Sequence, residues 1–324
     1  MSSPPALASP RECSVVVPVY LNADGIPDLL ARLVELDRRV PGGIEAVCVV
    51  DGSPDDCHRL LAAALPTMPF ASRLVLLSRN FGAFAAIREG LRVASGRYFA
   101  VMSADLQEEA AVVVEFVAAL RDDEADVVLG VREARDDPWP SRIASALFWR
   151  MYRALIRPDV PKGGIDVFAC NQPFRDQLVQ FSESYSSLIG QILWLGFRRK
   201  LVAYARVARK HGRSAWTLRR KLAYLLDSVY SFSDLPVRVF VAFGALGLFT
   251  SAALAVAVVA AKLNGAIPVP GYAATVLTIV FFASLNLLGL GIVGSYVWRA
   301  YENTKSRPLA VVMRDHAYAA KEHR

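Results

Sequence analysis

Two uncharged stretches near the C-terminus decide most of what this chain can fold into. Neither 239–261 nor 263–298 contains an Asp, Glu, Lys or Arg. A helix needs about 20 consecutive apolar residues to cross a bilayer. Residues 239–261 supply 23 and residues 272–298 supply 27, so the sequence predicts two spanning helices, the second long enough to tilt. Between them, 262–271 (KLNGAIPVPG) predicts a tight turn outside the bilayer. Basic residues set the orientation. Arg219, Arg220, Lys221 and Arg238 precede the first run, and Arg299, Lys305, Arg307, Arg314, Lys321 and Arg324 follow the second. The turn carries only Lys262. The expectation is a multi-pass hairpin in the cytoplasmic (inner) membrane with both chain ends cytoplasmic. Glycines at 244, 247, 289, 291 and 294 permit close helix packing, which is compatible with a homo-oligomer.

The rest of the chain reads as a polar-surfaced domain. The 324 residues are 54% apolar and 21% charged, with mean hydropathy +0.33, which excludes a disordered or fibrous chain. Cys13, Cys48, Cys57 and Cys170 show no CxxC spacing and read as reduced, mostly core thiols. The opening segment has Ser and Pro but no apolar leader core, so the polar domain is expected in the cytosol.

A net charge of +7 favours anionic partners. Much of it is concentrated in 197–221, which holds ten Lys or Arg, and no acidic residue occurs between Ser184 and Leu226. Because this run precedes a membrane segment, the inner leaflet and a lipid phosphate are its natural partners. No nucleic-acid-binding module is visible, so nucleic acid is not expected. Leu218, Leu222, Leu225, Val229 and Phe232 recur at helical steps beside Arg219–Lys221. Such a stripe is read as a helix lying on the leaflet, the alternative being an amphipathic helix packed on the domain.

Upstream, short apolar runs alternate with helical stretches. Strands are predicted at 14–19, 45–50, 73–78, 98–102 and 126–130, and helices at 27–40, 83–94 and 108–121. That alternation predicts a mostly parallel sheet covered on both faces. Ligands of such sheets bind beyond the carboxyl ends of the strands. Those ends carry Pro18 and Tyr20, Asp51-Gly52-Ser53, Arg79-Asn80-Phe81-Gly82, then Ser103, Asp105 and Gln107, and finally Arg132. One rim thus gathers groups suited to a base, a cation and phosphates. Asp51 in a DGS turn also suits a helix N-cap. Neither GxGxxG nor GxxxxGK[ST] occurs, which removes support from dinucleotide and P-loop readings.

VVVPVY at 15–20, VDGS at 50–53, LSRNFGAFAAIREGL at 77–91, MSADLQ at 102–107 and WLGF at 194–197 resemble the family 2 glycosyltransferases. The likeness is to the bacterial polyprenyl-phosphate glycosyltransferases related to dolichol-phosphate mannose synthase. It implies an α/β, GT-A (Rossmann-like) domain over 13–213 after a tail at 1–12. An interfacial helix at 214–236, two membrane helices within 237–298 and a basic tail at 299–324 would follow. By the same likeness Pro18, Tyr20 and Asp51 hold the base of a nucleotide sugar, a UDP-sugar being favoured, with Asn80 and Ser103 beside it. Asp105 and Gln107 bind Mg²⁺ or Mn²⁺, and Arg132 and Arg142 hold phosphate charge. Arg209, Arg213 and Ser214 border a polyprenyl phosphate. Asp166 (GGIDVF) lies where an acidic residue can meet the acceptor, and also suits a turn or strand end.

Two departures stand out. The family usually has Asp-Asp-Gly-Ser, where this chain has Val50, and Asp-Ala-Asp-Leu-Gln, where it has Ser103. The chemistry is self-consistent, because a cation and arginines stabilise a leaving diphosphate and an anionic acceptor needs no strong base. The expected activity is inverting transfer of one sugar from a nucleotide diphosphate to a polyprenyl phosphate, for a cell-envelope glycan. The alternatives are the same transfer to a different lipid, and a non-catalytic nucleotide-sugar-binding or scaffolding membrane protein, the latter kept open by Val50 and Ser103.

Overall fold

A computed structural model describes residues 11–132, 150, 153, 161, 165–183, 186–205, 207, 227–231, 233, 235–264 and 271–321. Its centre is an eight-stranded sheet in the order β7-β5-β6-β4-β1-β2-β3-β8. The strands are β1 Cys13–Val19, β2 Ile44–Val50, β3 Ala71–Leu77, β4 Tyr98–Val101, β5 Val127–Arg132, β6 Ile165–Asn171, β7 Arg199–Tyr204 and β8 Val312–Tyr318. Strands β1 to β5 and β7 run one way, while β6 and β8 run against them. The sheet is therefore mixed, of GT-A-like form, with its two antiparallel strands drawn from chain beyond the first five.

Strand burial explains why the apolar runs are continuous rather than alternating. In β1, Val15, Val17 and Val19 face one core and Val16 the other, all fully buried. Both faces are covered, so both need apolar side chains. Helices α1 Ile26–Arg39, α2 Cys57–Ala64 and α4 Ala110–Arg121 cover the first face with Leu29, Leu33, Leu61 and Phe116. Helices α3 Ala83–Val93, α5 Gln172–Leu178 and α6 Leu188–Trp194 cover the second with Ile87, Leu91, Phe174 and Ile192. The four cysteines are free and buried, as their apolar surroundings suggest. Burial pushes the Cys13 and Cys48 thiols up to about 12.

Pro18 lies inside a central strand without breaking it. β4 pairs with β1 only as far as Val16, and Met102 N–H then donates to the Val16 carbonyl. Pro18 pairs with Val49 on the other side only, so no ladder bond misses its absent N–H.

Two long helices follow, α7 Leu235–Leu263 and α8 Tyr272–Thr304. They pack through rings laid on glycines. A Cβ at Gly289 would stand 2.1 Å from the Phe240 ring, and one at Gly247 would stand 2.9 Å from the Phe282 ring. Among the described residues, Phe281–Thr304 is long and apolar enough to cross a membrane. Leu287, Leu290 and Val293 on it are exposed. The near end of α8 is fastened to the segment preceding α7. Arg299 donates to Asp227 Oδ1 at 2.7 Å, and the Tyr230 and Tyr296 rings meet edge to face at 5.2 Å. Val229 in that segment is buried in the second core.

The sequence leaves 299–324 as a basic tail, and here the structure differs. Beyond α8 the chain returns to the sheet as β8, antiparallel to β3, with Leu77 opposite Val312 and Ser72 opposite Tyr318. Arg73 fixes the strand through two parallel bonds to the Asp315 carboxylate, both 2.7 Å. The interfacial-helix expectation at 214–236 and the 262–271 turn fall mostly outside the described residues.

Candidate active site

Four loops leave the carboxyl ends of β1 to β4 and are stitched to one another by side chains. The β2 loop begins at Asp51, which is buried. Its carboxylate accepts the Phe81 N–H at 2.7 Å and the Gly82 N–H at 2.8 Å, both from the β3 loop. Burial raises the Asp51 carboxyl above its ordinary value, against the pull of those two N–H groups. Gly52, with φ +55°, lies so close to the same loop that a Cβ would be 2.1 Å from the Arg79 carbonyl carbon. A side chain is therefore excluded by both backbone conformation and space.

The β1 loop is held from the same turn. Leu21 N–H donates to Ser53 Oγ at 2.8 Å, and Ala23 N–H to Asp55 Oδ2 at 3.0 Å. Burial works against the ionised Asp55, but hydrogen bonds from Ser53, Cys57 and Ala23 outweigh it and hold the carboxyl below its usual range. Asn22 then reaches the β4 loop, its Nδ2 donating to the Ala104 carbonyl at 2.9 Å. Preorganisation of this kind holds a site without waiting for ligand.

The β4 loop, Ser103-Ala104-Asp105-Leu106-Gln107-Glu108, turns back on itself. Leu106 takes φ +56°, a left-handed conformation that a leucine adopts only where the surroundings impose it. Ser103 N–H and Oγ both donate to the Glu108 carboxylate, at 3.3 and 3.2 Å, so the loop's two ends meet. Gln107 is buried, and its Nε2 donates to the Val207 carbonyl at 3.4 Å. That bond places the amide oxygen on the opposite branch of the side chain. Val207 N–H returns a bond to the Gln107 carbonyl at 3.0 Å, which fastens the chain leaving β7 to this loop.

The structure brings together most of the residues expected at the site. Pro18, Tyr20, Asp51, Asn80, Ser103, Asp105, Gln107 and Arg132 all lie at the carboxyl rim of the sheet. Tyr20, Ser103, Asp105 and Arg132 are half-buried and Asn80 is exposed. Asp166, second residue of β6, is at the same rim because neighbouring Ile165 pairs with Val131. Arg142, Arg209, Arg213 and Ser214 lie outside the described residues. Asp51 differs from expectation in its contacts, since both carboxylate oxygens are engaged by the β3 loop. Sequence reasoning missed Asn22, Asp55 and Glu108. The DGSPDD turn was a signal for Asp55, whereas Asn22 and Glu108 act on chain far from or curled away from their own segments.

The hydroxyl of Ser103, the carboxylate of Asp105 and the amide oxygen of Gln107 are hard oxygen donors of the kind Mg²⁺ or Mn²⁺ takes. Among the described residues no three His, Cys, Asp or Glu converge as a metal cluster. A cation held partly by a diphosphate and water does not require one.

A mixed sheet of GT-A-like form, with its polar loops gathered on one rim, defines the class of fold. The family model for glycosyl transferase family 2 matches residues 14–180, more than half of the chain. The chain belongs to that family and is a glycosyltransferase. An uncharacterised glycosyltransferase of Synechocystis is 29% identical over 93% of this chain and 94% of its own length. A bactoprenol glucosyl transferase of Shigella flexneri, derived from prophage SfII, is 26% identical over 94% of this chain and 98% of that one. Among solved structures, a Pyrobaculum calidifontis mannosyltransferase in complex with GDP-Man and Mn²⁺ aligns with TM-score 0.45 and 19% identity, covering 91% of this chain and 88% of that one.

Proposed function

We propose that this glycosyltransferase moves one sugar from a nucleoside diphosphate, most naturally uridine diphosphate, to a polyprenyl phosphate at the cytoplasmic face of a membrane, with inversion. The observation that carries this reading is where the long helices join the sheet. Chain leaving α8 at Thr304 reaches Val312 opposite Leu77, at the same rim that carries Asp105. Eight residues span at most about 28 Å, so the rim with the donor loops lies toward the helix ends. An acceptor anchored in the membrane then approaches the rim rather than the far end of the sheet. The end-to-end likeness to a bactoprenol glucosyl transferase supports the same acceptor class.

In this reading α7 and α8 form a two-helix membrane hairpin. The ring-on-glycine packing and the basic residues flanking both helices support it. Asp105 and the Gln107 amide oxygen hold the cation, which when bound neutralises charge on the leaving diphosphate. Arg132, at the end of β5, adds positive charge on the same rim. Asp51 and Gly52 keep the β3 loop in place, so Asn80 meets the nucleotide without reorganisation. Val207, within the basic run, is fastened to the cation loop. Arg209 and Arg213 lie two and six residues on and serve the lipid phosphate. The acceptor arrives ionised, so no strong base is required of Asp166.

The test is incubation of the purified full chain in detergent with a panel of nucleotide sugars and a polyprenyl phosphate, the lipid read by mass spectrometry. One glycosylated lipid phosphate is expected, from one donor. Donor hydrolysis without lipid product, or no turnover of any donor, refutes the proposal.

A further inference from the structure

We infer that Glu108 supplies to the cation loop the negative charge that Ser103 lacks, and is a positioning residue for the divalent cation. The inference rests on the reading of 103–108 as a cation site. Its starting point is the loop's closure. Ser103 stands where the family usually has an aspartate, and a hydroxyl brings no charge there. The Glu108 carboxylate lies against that residue, with one oxygen on the Ser103 hydroxyl at 3.2 Å and the other on its N–H at 3.3 Å. Glu108 is 1% exposed, so this carboxylate is kept on the loop and away from bulk water. Its backbone is fixed as well, because Arg32 Nη1 donates to the Glu108 carbonyl at 2.6 Å.

The local fold explains how a residue five positions later returns to Ser103. Helix α4 begins at Ala110, not at 108, so Glu108 belongs to the loop rather than to a helical turn. The left-handed Leu106 reverses the chain between them, and Leu106 N–H donates to the Ser103 carbonyl at 3.4 Å. Charge is therefore restored by folding instead of by sequence position. A carboxylate hydrogen-bonded to a donor group orients that group and adds Coulomb attraction for the cation.

Mn²⁺ binding to the full chain in detergent, with UDP present and no acceptor, tests this without turnover. Free Mn²⁺ is read by electron paramagnetic resonance. Glu108→Gln keeps the shape and an acceptor oxygen for Ser103 but removes the charge. It is expected to weaken Mn²⁺ binding by roughly 10- to 100-fold, the usual cost of losing a supporting carboxylate. The double variant Ser103→Asp with Glu108→Gln moves the charge back and is expected to recover most of that loss. Ser103→Ala removes a neutral oxygen but keeps the Glu108 charge, so it is expected to weaken binding by about threefold, roughly 0.7 kcal/mol and far less than Glu108→Gln. Asp105→Ala, with a ligand removed, does not bind. If Glu108→Gln binds like the parent, if the double variant is no tighter than Glu108→Gln, or if Ser103→Ala loses as much, the inference fails while the site stands. If the parent does not bind Mn²⁺, or Asp105→Ala binds as well as the parent, the cation site fails and the inference with it.

Discussion

Replacing Asp51 by Asn keeps the outline of the side chain and removes one of two acceptor oxygens. In the parent, both oxygens accept backbone N–H groups of the β3 loop, at 2.7 and 2.8 Å. A hydrogen bond to a charged group contributes roughly 1.5–3 kcal/mol, and a buried donor left facing an NH₂ group costs a similar amount. Part of this is returned, because burial already disfavours the ionised Asp51. A net loss of about 2 kcal/mol follows, which is roughly 30-fold in the local opening equilibrium of the loop. Hydrogen–deuterium exchange over 78–84, read by mass spectrometry, should accelerate by that factor. UDP binding by calorimetry should weaken in parallel, since Asn80 is carried by the same loop. Unchanged exchange with lost UDP affinity would refute the reasoning, and would return Asp51 to the base-contact role that the family resemblance implies. Unchanged exchange and unchanged affinity would leave Asp51 no role at the rim.

Two other expectations concern the sheet edge and the basic run. Asp315→Ala removes the two-pronged partner of Arg73, half-buried at the β3–β8 pair, and should cost about 1–3 kcal/mol; an unchanged urea midpoint would show that β8 is held by its backbone ladder alone. Neutralising Arg209 and Arg213 together should raise KM for the lipid by about two orders of magnitude, each losing a charge-assisted bond, and barely alter KM for the nucleotide sugar. Neutralising Arg219, Arg220 and Lys221 should instead weaken salt-dependent liposome binding and spare turnover in detergent; equal effects of both sets in detergent would make the run an undifferentiated surface.

Much of the sheet and of the rim is legible in the residues themselves. A strand buried on both faces must be apolar throughout, so SVVVPV, EAVCVV and YFAVM announce themselves within a residue or two of their observed ends. The turns that follow them are rich in Gly, Asp and Asn, which marks the rim. β8 is hidden for the opposite reason. Its sequence, VMRDHAY, carries Arg, Asp and His at its centre and is largely exposed, and its strand character comes from β3 and from Arg73, far away in the chain. Glu108 is hidden because EEAAVVVEF carries the spacing of a helix from its first residue, whereas the Ser103 N–H and hydroxyl claim that carboxylate. Asp51 is legible as important but not in its contacts, which depend on backbone N–H groups 30 and 31 residues on. Residue type gives the chemistry available at a rim, and only packing says which groups are spent on holding it together.

The ladder between β3 and β8 also bears on how the molecule is made. Arg73 and Asp315 are separated by 242 residues, and everything between them, including both long helices, must leave the ribosome before they meet. Until then β3 is an open edge, the kind of surface on which nascent chains pair wrongly. Closing it requires that α8 bring the chain back to the side from which α7 departed. A copy whose second helix failed to return would keep β8 from its partner and leave that edge exposed. Completion of the sheet thus depends on both long helices: only a chain that returns from them can finish its own sheet.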